Sequence, residues 1–373
     1  SVKKWEKSAE VTLDAIREAE KVYHLYGDVE AGEPTAAKPG FTSSTESGKA
    51  QRRVRYCFMD AANLCEVIMG DNRTETLYDV QIRSSVRQTK QAPFAMANST
   101  APTLQMVELF YTKNGLPIDK DEEYGYSERY ELINLPKNFD GNMYADRPND
   151  QTIKLHLNRE PRFYNTVFFN GRQWPVSCNQ VLFYNGGNSG VQEGQATLTG
   201  YMLFKRFNRS VSLTNPGVAS QFRPSIIFRL ADFYLMYAEA ANEVNPNDAR
   251  VLKYLNLVRE RAGLPDIETL NPAIRGNQEL QRAAIQRERQ IELATEGQRY
   301  FDVRRWMIAD KNGEGRQNGY VHGMNVRGES NDKEDFNRIV EASQIVFNRK
   351  MYLYPMPDSE MRKTKNLVQN PGW

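Results

Sequence analysis

Twice between Leu230 and Ala262 apolar side chains return every three or four residues, and only Asn245-Pro246-Asn247-Asp248 separates the two runs. Leu230, Phe233, Tyr234, Tyr237, Ala238 and Ala241 line the first run; Val251, Tyr254, Leu255, Val258 and Ala262 line the second. That spacing gives each of two helices one buried face. Asn247 or Asp248 can cap the second helix, and Gly263 with Pro265 stops it. So short a connection makes the pair antiparallel. A hairpin of this tetratricopeptide-like length needs stacked neighbours to cover its apolar surface. The helix predicted from Trp5, with Ala9, Leu13, Ile16, Ala19, Tyr23 and Tyr26 in step before Gly27 and Asp28 end it, is a candidate neighbour.

A third long helix is predicted over 277–296, stopped by Gly297, and a shorter one over 298–307. CEVIM from Cys65 and the stretch 345–354, ending at Pro355-Met356-Pro357, read as strands. Residues 30–50 are rich in Gly, Pro, Ser and Thr and read as an exposed loop before a second helix, and 310–335 read as mostly irregular. From Gly70 to about Asn215 no period persists, yet rings are frequent: Tyr111, Tyr130, Phe139, Phe163, Tyr164, Phe168, Phe169, Phe183 and others. Long ring-bearing loops are often binding surfaces. The fold class is therefore mostly α, a tetratricopeptide-like helical hairpin scaffold with long irregular loops and a few short strands. As one domain over 1–373 it divides into a helical scaffold segment (1–69), a loop-rich ligand face (70–222), tetratricopeptide-like helices (223–309) and a C-terminal loop and strand region (310–373).

Lys and Arg (49) nearly balance Asp and Glu (47), so no global field draws nucleic acid. No run of eighteen apolar residues is present to cross a bilayer as a helix. Cys57, Cys65 and Cys178 form neither a CxxC pair nor an even disulfide framework. HExxH, GxSxG, Walker-type and GxGxxG signatures are absent. His24, His156 and His322 lie far apart, without a second ligand at metal spacing, and read as solvated or singly hydrogen-bonded. Glu288, Glu292 and Glu296 fall on one helical stripe, and a glycosidase needs two carboxyl groups. Arg282, Arg287, Arg289, Arg299, Arg304 and Arg305 are interleaved with them, which favours a structural ion-pair network tying the third helix to the short one that carries Trp306.

No catalytic or metal-binding residue is assigned, and no cofactor is called for; a structural calcium ion is left open. Candidate ligand-binding residues are Tyr124, Tyr126, Tyr144, Trp174 and Tyr184, each in an irregular, glycine-flanked or polar stretch. Trp174, between Gly171 and Pro175, would present an indole to sugar C–H faces while Asn170, Asn179, Asn185 and Asn188 bond hydroxyls.

Several segments, in order, resemble SusD/RagB-type proteins: NGLPID from Asn114, PRFYNTVFFNG from Pro161, GYMLFKRF from Gly200, RLADFYLMYAEAANE from Arg229, YLNLVRERAGLP from Tyr254, RERQIELATEGQRYFDVRRW from Arg287, YLYPMPDSEM from Tyr352 and QNPGW from Gln369. The resemblance implies a non-catalytic lipoprotein on the outer-membrane surface of Bacteroidota. Such a protein captures oligosaccharides, or in some cases peptides, and delivers them to a SusC-like TonB-dependent transporter. It also implies that the N-terminal part, with its lipid anchor and first helical repeats, is missing here, so a preceding segment or companion chain is expected. The chain's start without Met, already in a helical pattern by Trp5, agrees. Competing readings are peptide capture by the same architecture, an intracellular helical-repeat adaptor, and a glycoside hydrolase resting on the carboxylate stripe alone.

Overall fold

The computed structural model describes residues 4–25, 67–71, 101–135, 151–172, 180–190, 197–205, 225–311, 318–364 and 366–373. Tyr144, Trp174, Asn179, Phe139, the three cysteines, the expected loop at 30–50 and the helix expected after it lie outside these residues. In chain order the elements are α1 (Trp5–Ala19), β1 (Val67–Asp71), α2 (Leu104–Leu109), β2 (Leu132–Asn134), β3 (Gln151–Ile153), α3 (Pro161–Thr166), β4 (Val167–Phe169), β5 (Tyr201–Leu203) and β6 (Ser225–Arg229). They continue with α4 (Leu230–Val244), α5 (Ala249–Arg261), α6 (Ile267–Leu270), α7 (Gln278–Glu292), α8 (Gln298–Arg305), β7 (Gly319–Met324), β8 (Ile339–Ile345) and α9 (Asp358–Lys363). The strands form antiparallel pairs, β1 with β6, β2 with β3, β4 with β5 and β7 with β8.

The predicted hairpin is α4 and α5, and the Asp248 carboxylate caps α5 by accepting from the Arg250 N–H at 2.9 Å. Ile16 and Ala19 of α1 share one core with Leu230, Tyr234, Leu235, Val251, Leu255 and Ile285, so α1 is the expected neighbour and α7 closes the opposite side. Fully burying each large aliphatic here stabilises by roughly 1.5–3 kcal/mol. Helix α1 ends at Ala19, earlier than the apolar spacing implied: Val22 is 73% exposed, while Tyr23 and Leu25 still pack on the same core from the turn and non-helical chain that follow, and Tyr26 lies outside the described residues. Helix α7 likewise stops at Glu292, short of 296. Thr295 and Gly297 take left-handed φ values of 67° and 84°, which a continuing helix cannot hold.

Most of the described rings read as loop-borne are core instead. Tyr111, Phe163, Tyr164, Phe168, Phe169 and Phe183 are buried with Phe110, Tyr201 and Phe204 in a second, aromatic core. Their elements are six-residue helices and three-residue strands, too short to show a period in the sequence. The β4–β5 pair sets Phe169 opposite Tyr201. His156 stacks on Phe169 with ring centroids 4.2 Å apart. The strand expected at 345–354 is displaced: β8 precedes it, and after Ile345 the chain tucks Phe347 against Val303 and Ala309 and turns through Arg349–Tyr352. Its partner β7 occupies part of the stretch expected to be irregular. The CEVIM strand is found two residues later, as Val67–Asp71.

Candidate functional site

The carboxylate stripe is a buried ion cluster. Glu292, fully buried, meets Arg162 at 3.1 Å and Arg229 at 2.7 Å, and also Arg261. Glu288, equally buried, meets Arg162 at 2.5 Å and Arg259 at 3.5 Å. Glu296 leaves the helix and joins Lys205 (2.6 Å) and Arg229 (2.8 Å), while Glu160 meets Arg162 at 2.6 Å. Burial alone would push Glu292 up, but Arg261, Arg229, Arg162 and Lys205 outweigh it and hold the carboxyl well below the usual carboxylate range. At Glu160 burial prevails over Arg162 and the shift is upward.

The network is thus structural as expected, but its partners come from α3, β5's exit, β6 and α5 rather than from the arginines interleaved along α7 and α8. Those arginines serve other acids. Arg289 bridges Asp232 (2.9 Å) and Asp302 (3.0 Å), which does tie α7 to α8; Arg305 joins Asp302 and Glu239, to which the Trp306 indole donates at 2.7 Å. Arg282 pairs with Glu243 at 2.6 Å. A general acid or base must reach a substrate proton, and Glu288 and Glu292, at 0% exposure, have their carboxylates paired with guanidiniums among the described residues.

Of the proposed tyrosines, Tyr124 and Tyr126 share one braced loop. Its start is fixed by Asp121, whose carboxylate accepts from the Thr112 hydroxyl (2.5 Å), the Asn114 amide (3.0 Å) and the Glu123 N–H (3.1 Å). Tyr124 is half-buried against the aromatic core and donates its hydroxyl to the Leu155 carbonyl at 2.8 Å. Gly125, at φ 68°, turns the chain into the single helical turn Tyr126–Glu128. Tyr126 is exposed, and the Arg129 guanidinium lies 3.8 Å from its ring centroid and 4.4 Å from that of Tyr130. Glu108 of α2 fixes both neighbours, accepting from Arg129 Nε at 2.8 Å and from the Tyr130 hydroxyl at 2.5 Å. Burial and the Glu108 carboxylate push the Tyr130 hydroxyl up, so it stays a donor.

Tyr184 sits apart, half-buried and edge-on to Phe336 at 6.4 Å. The segment 325–338 spans the distance between them: Phe336 meets Tyr184, and Lys333 pairs with Glu131 just after the Tyr126 turn. Asn331 knits that segment down, its side-chain oxygen accepting from the Asn170 (2.8 Å) and Asn337 (3.0 Å) amides. Two amides proposed for hydroxyl binding are committed to the fold. Asn170 also accepts from the Phe183 N–H at 2.7 Å, and Asn188 bridges the Leu182 N–H and the Gln180 carbonyl. The Asn185 side-chain oxygen, beside Tyr184, has no hydrogen-bond partner among the described residues.

Sequence reasoning missed Arg129 and Glu108, and counted Tyr130 among the loop rings without placing it at the site. The spacing Tyr126, Arg129, Tyr130 is the available signal, since side chains three and four apart meet on a helical turn. It also misjudged His156, which is fully buried with its ring nitrogens 2.7 Å from the Thr152 hydroxyl and 3.2 Å from that of Tyr201. Burial holds its imidazole well below the usual range. Among the described residues no group of three His, Cys, Asp or Glu could hold a metal ion, and no helix is long and apolar enough to cross a membrane.

A second feature is a groove of about 790 Å³ along the outer face of α7, floored by Leu280, Ala283 and Ala284 and walled by Leu116, Ile267 and Leu270. Lys120, Arg287 and Arg299 border it, and among the described residues no Asp or Glu lines it.

The described residues thus join a helical hairpin, with α1 and α7 beside it, to a second core of short helices and strands. A family model described as the SusD family matches residues 65–373, and the chain belongs to that family. Curated relatives include SusD-like protein P25 of Formosa agariphila, 46% identical over 83 residues (22% of this chain, 15% of that protein). SusD-like protein P2 of the same organism is 32% identical over 151 residues (40% and 26%). Among solved structures, selenomethionine BT4246 has a TM-score of 0.80 at 26% identity, covering 99% of this chain and 64% of that one. A SusD-like protein (BF3747) from Bacteroides fragilis NCTC 9343 has a TM-score of 0.64 at 23% identity, covering 98% and 63%. The chain spans less than two thirds of the length of each of these relatives.

Proposed function

We propose that the protein captures an oligosaccharide at the cell surface without cleaving it and passes it to a SusC-like TonB-dependent transporter, held at the outer membrane by a lipid anchor. The observation that carries this reading is the Tyr126 platform, an exposed ring held flat by a guanidinium that Glu108 and Tyr130 immobilise. A pre-fixed ring loses little entropy when a sugar face stacks on it, and stacking alone breaks no bond in the guest. The sequestered carboxylates of α7 support binding over hydrolysis.

The α7 groove supports a second reading, peptide capture, because apolar side chains fit its floor and carboxylates would meet Lys120, Arg287 and Arg299. Isothermal titration with panels of oligosaccharides and of short peptides separates the two. Saccharide binding weakened about tenfold or more in Tyr126→Ala, a loss of at least ~1.4 kcal/mol, is the expected result. Peptide binding indifferent to Tyr126→Ala but abolished by Ala284→Trp would replace the first reading with the second.

A further inference from the structure

The build of the Tyr126 platform recurs at a second place. Helix α8 carries Tyr300 and, one turn on, Arg304. The Arg304 guanidinium lies 3.4 Å from the Tyr300 ring centroid, and its Nη1 turns back to donate to the Tyr300 carbonyl at 2.8 Å. Arg129 does the same at Tyr126, lying 3.8 Å from the ring centroid and donating to the Tyr126 carbonyl at 2.9 Å. In each case a second ring lies against the guanidinium, Phe347 at 5.0 Å for Arg304 and Tyr130 at 4.4 Å for Arg129. Side chains three or four residues apart meet on a helical turn, so both spacings produce the same brace. The two braced tyrosines are also alike in exposure, 38% for Tyr126 and 36% for Tyr300.

Around Tyr300 the ring surface is wider. Phe301 stands edge-on to it with centroids 5.2 Å apart, and the Tyr354 hydroxyl is hydrogen-bonded to that of Tyr300. Phe301 and Tyr354 are more exposed still. The C-terminal segment fixes Tyr354 in place. There the Asn370 amide donates to the Tyr354 carbonyl at 2.6 Å, the Trp373 indole donates to the Leu353 carbonyl at 3.0 Å, and Gln369 exchanges two hydrogen bonds with the Met356 backbone (2.7 and 3.0 Å). Tyr300 and Phe301 ride on α8, which the Asp302–Arg289 pair ties to α7. Three solvent-facing rings from two parts of the chain are thus held together on fixed supports, and a contiguous exposed patch of this kind marks a binding surface.

We infer that Tyr300, Phe301 and Tyr354 form a second saccharide-stacking platform, so that the chain holds oligosaccharide at two places. Ring faces pack on the C–H faces of a sugar, and tyrosine hydroxyls bond its hydroxyls. Exposed rings also suit a protein partner; the brace shared with Tyr126 favours the sugar, because it orders the ring before binding in the same way. The class of ligand rests on the proposed function, whereas the site is built from other residues than the Tyr126 turn.

The test is isothermal titration of the whole chain with maltohexaose, cellohexaose, xylohexaose and chitohexaose, on the parent, Tyr126→Ala, Phe301→Ala/Tyr354→Ala and the triple variant. Both rings replaced in the double variant are largely in solvent, so its melting temperature should match the parent's; should it fall, Phe301→Ala, which removes no hydrogen bond, repeats the test alone. A probe that Tyr126→Ala still binds should lose about tenfold in affinity in the triple variant. The inference is overturned if no probe binds, if Tyr126→Ala alone abolishes binding, or if the double variant binds every probe as the parent does. A loss confined to Tyr126→Ala overturns it while leaving the proposed function standing, and a loss confined to the double variant supports it and counts against the Tyr126 platform. A double variant that binds sugar normally but no longer co-purifies with an outer-membrane protein makes the patch a protein-docking surface, which also overturns the inference.

Discussion

Replacing Glu292 by glutamine removes one negative charge from among Arg162, Arg229 and Arg261 while keeping the shape of the side chain. The amide offers a single acceptor oxygen, and its NH₂ must face a guanidinium. With Glu292 at 0% exposure, water cannot replace the lost charge. Breaking one member of a buried pair costs about 3–5 kcal/mol, mostly the penalty of the cations left behind. For 373 residues the unfolding entropy is about 0.8 kcal/mol per kelvin. The melting temperature of Glu292→Gln should therefore fall by about 4–6 °C. Scanning calorimetry on parent and variant, with far-UV circular dichroism to show that helix content is kept, makes the measurement. A melting temperature within ~1 °C of the parent would show that the cluster is not an interlock, and lost hydrolysis of a glycan by folded variant would refute the structural assignment altogether.

Acid should act through the same cluster. Lys205 and Arg229, overcoming burial, hold Glu296 at about 2 instead of its ordinary 4.5, which contributes on the order of 3 kcal/mol above that ordinary value. A depressed carboxyl loses its contribution as pH falls, so the gap in melting temperature between parent and Glu296→Gln should narrow from pH 6 toward pH 2; a constant gap counts against the pairing. Gly171→Ala should lower stability by roughly 1–3 kcal/mol, because Gly171 has φ 88° and a Cβ would lie 2.2 Å from the Gln151 carbonyl oxygen; a thermal melt equal to the parent's contradicts the close approach. Arg129→Ala should weaken saccharide binding roughly fivefold by releasing Tyr126, and titration showing no change would remove the guanidinium from the platform.

The sequence made the α4–α5 hairpin and its α1 neighbour readable because each buries one face over thirteen to fifteen residues, long enough for a period to emerge. It hid the aromatic core, since elements such as Pro161–Thr166 and Val167–Phe169 are buried on every side and leave no polar face to alternate with. The charge-rich stretch 287–305 announced ion pairs, but which cation meets Glu292 depends on where Arg162 and Arg229 arrive from distant parts of the chain. Similarly, Tyr126 was legible as a loop ring, whereas the Glu108 brace beneath it becomes visible only when α2 is folded against the loop.

The proposed capture requires a braced, exposed ring on a helical scaffold to hold a saccharide that later departs intact. A crystal structure of the protein with the tightest-binding oligosaccharide from the panel is the decisive experiment. An unbroken chain with one sugar face stacked on Tyr126, and Arg129 still in place behind it, is the predicted result. A cleaved sugar, or an intact one seated elsewhere with Tyr126 bare to solvent, would contradict it.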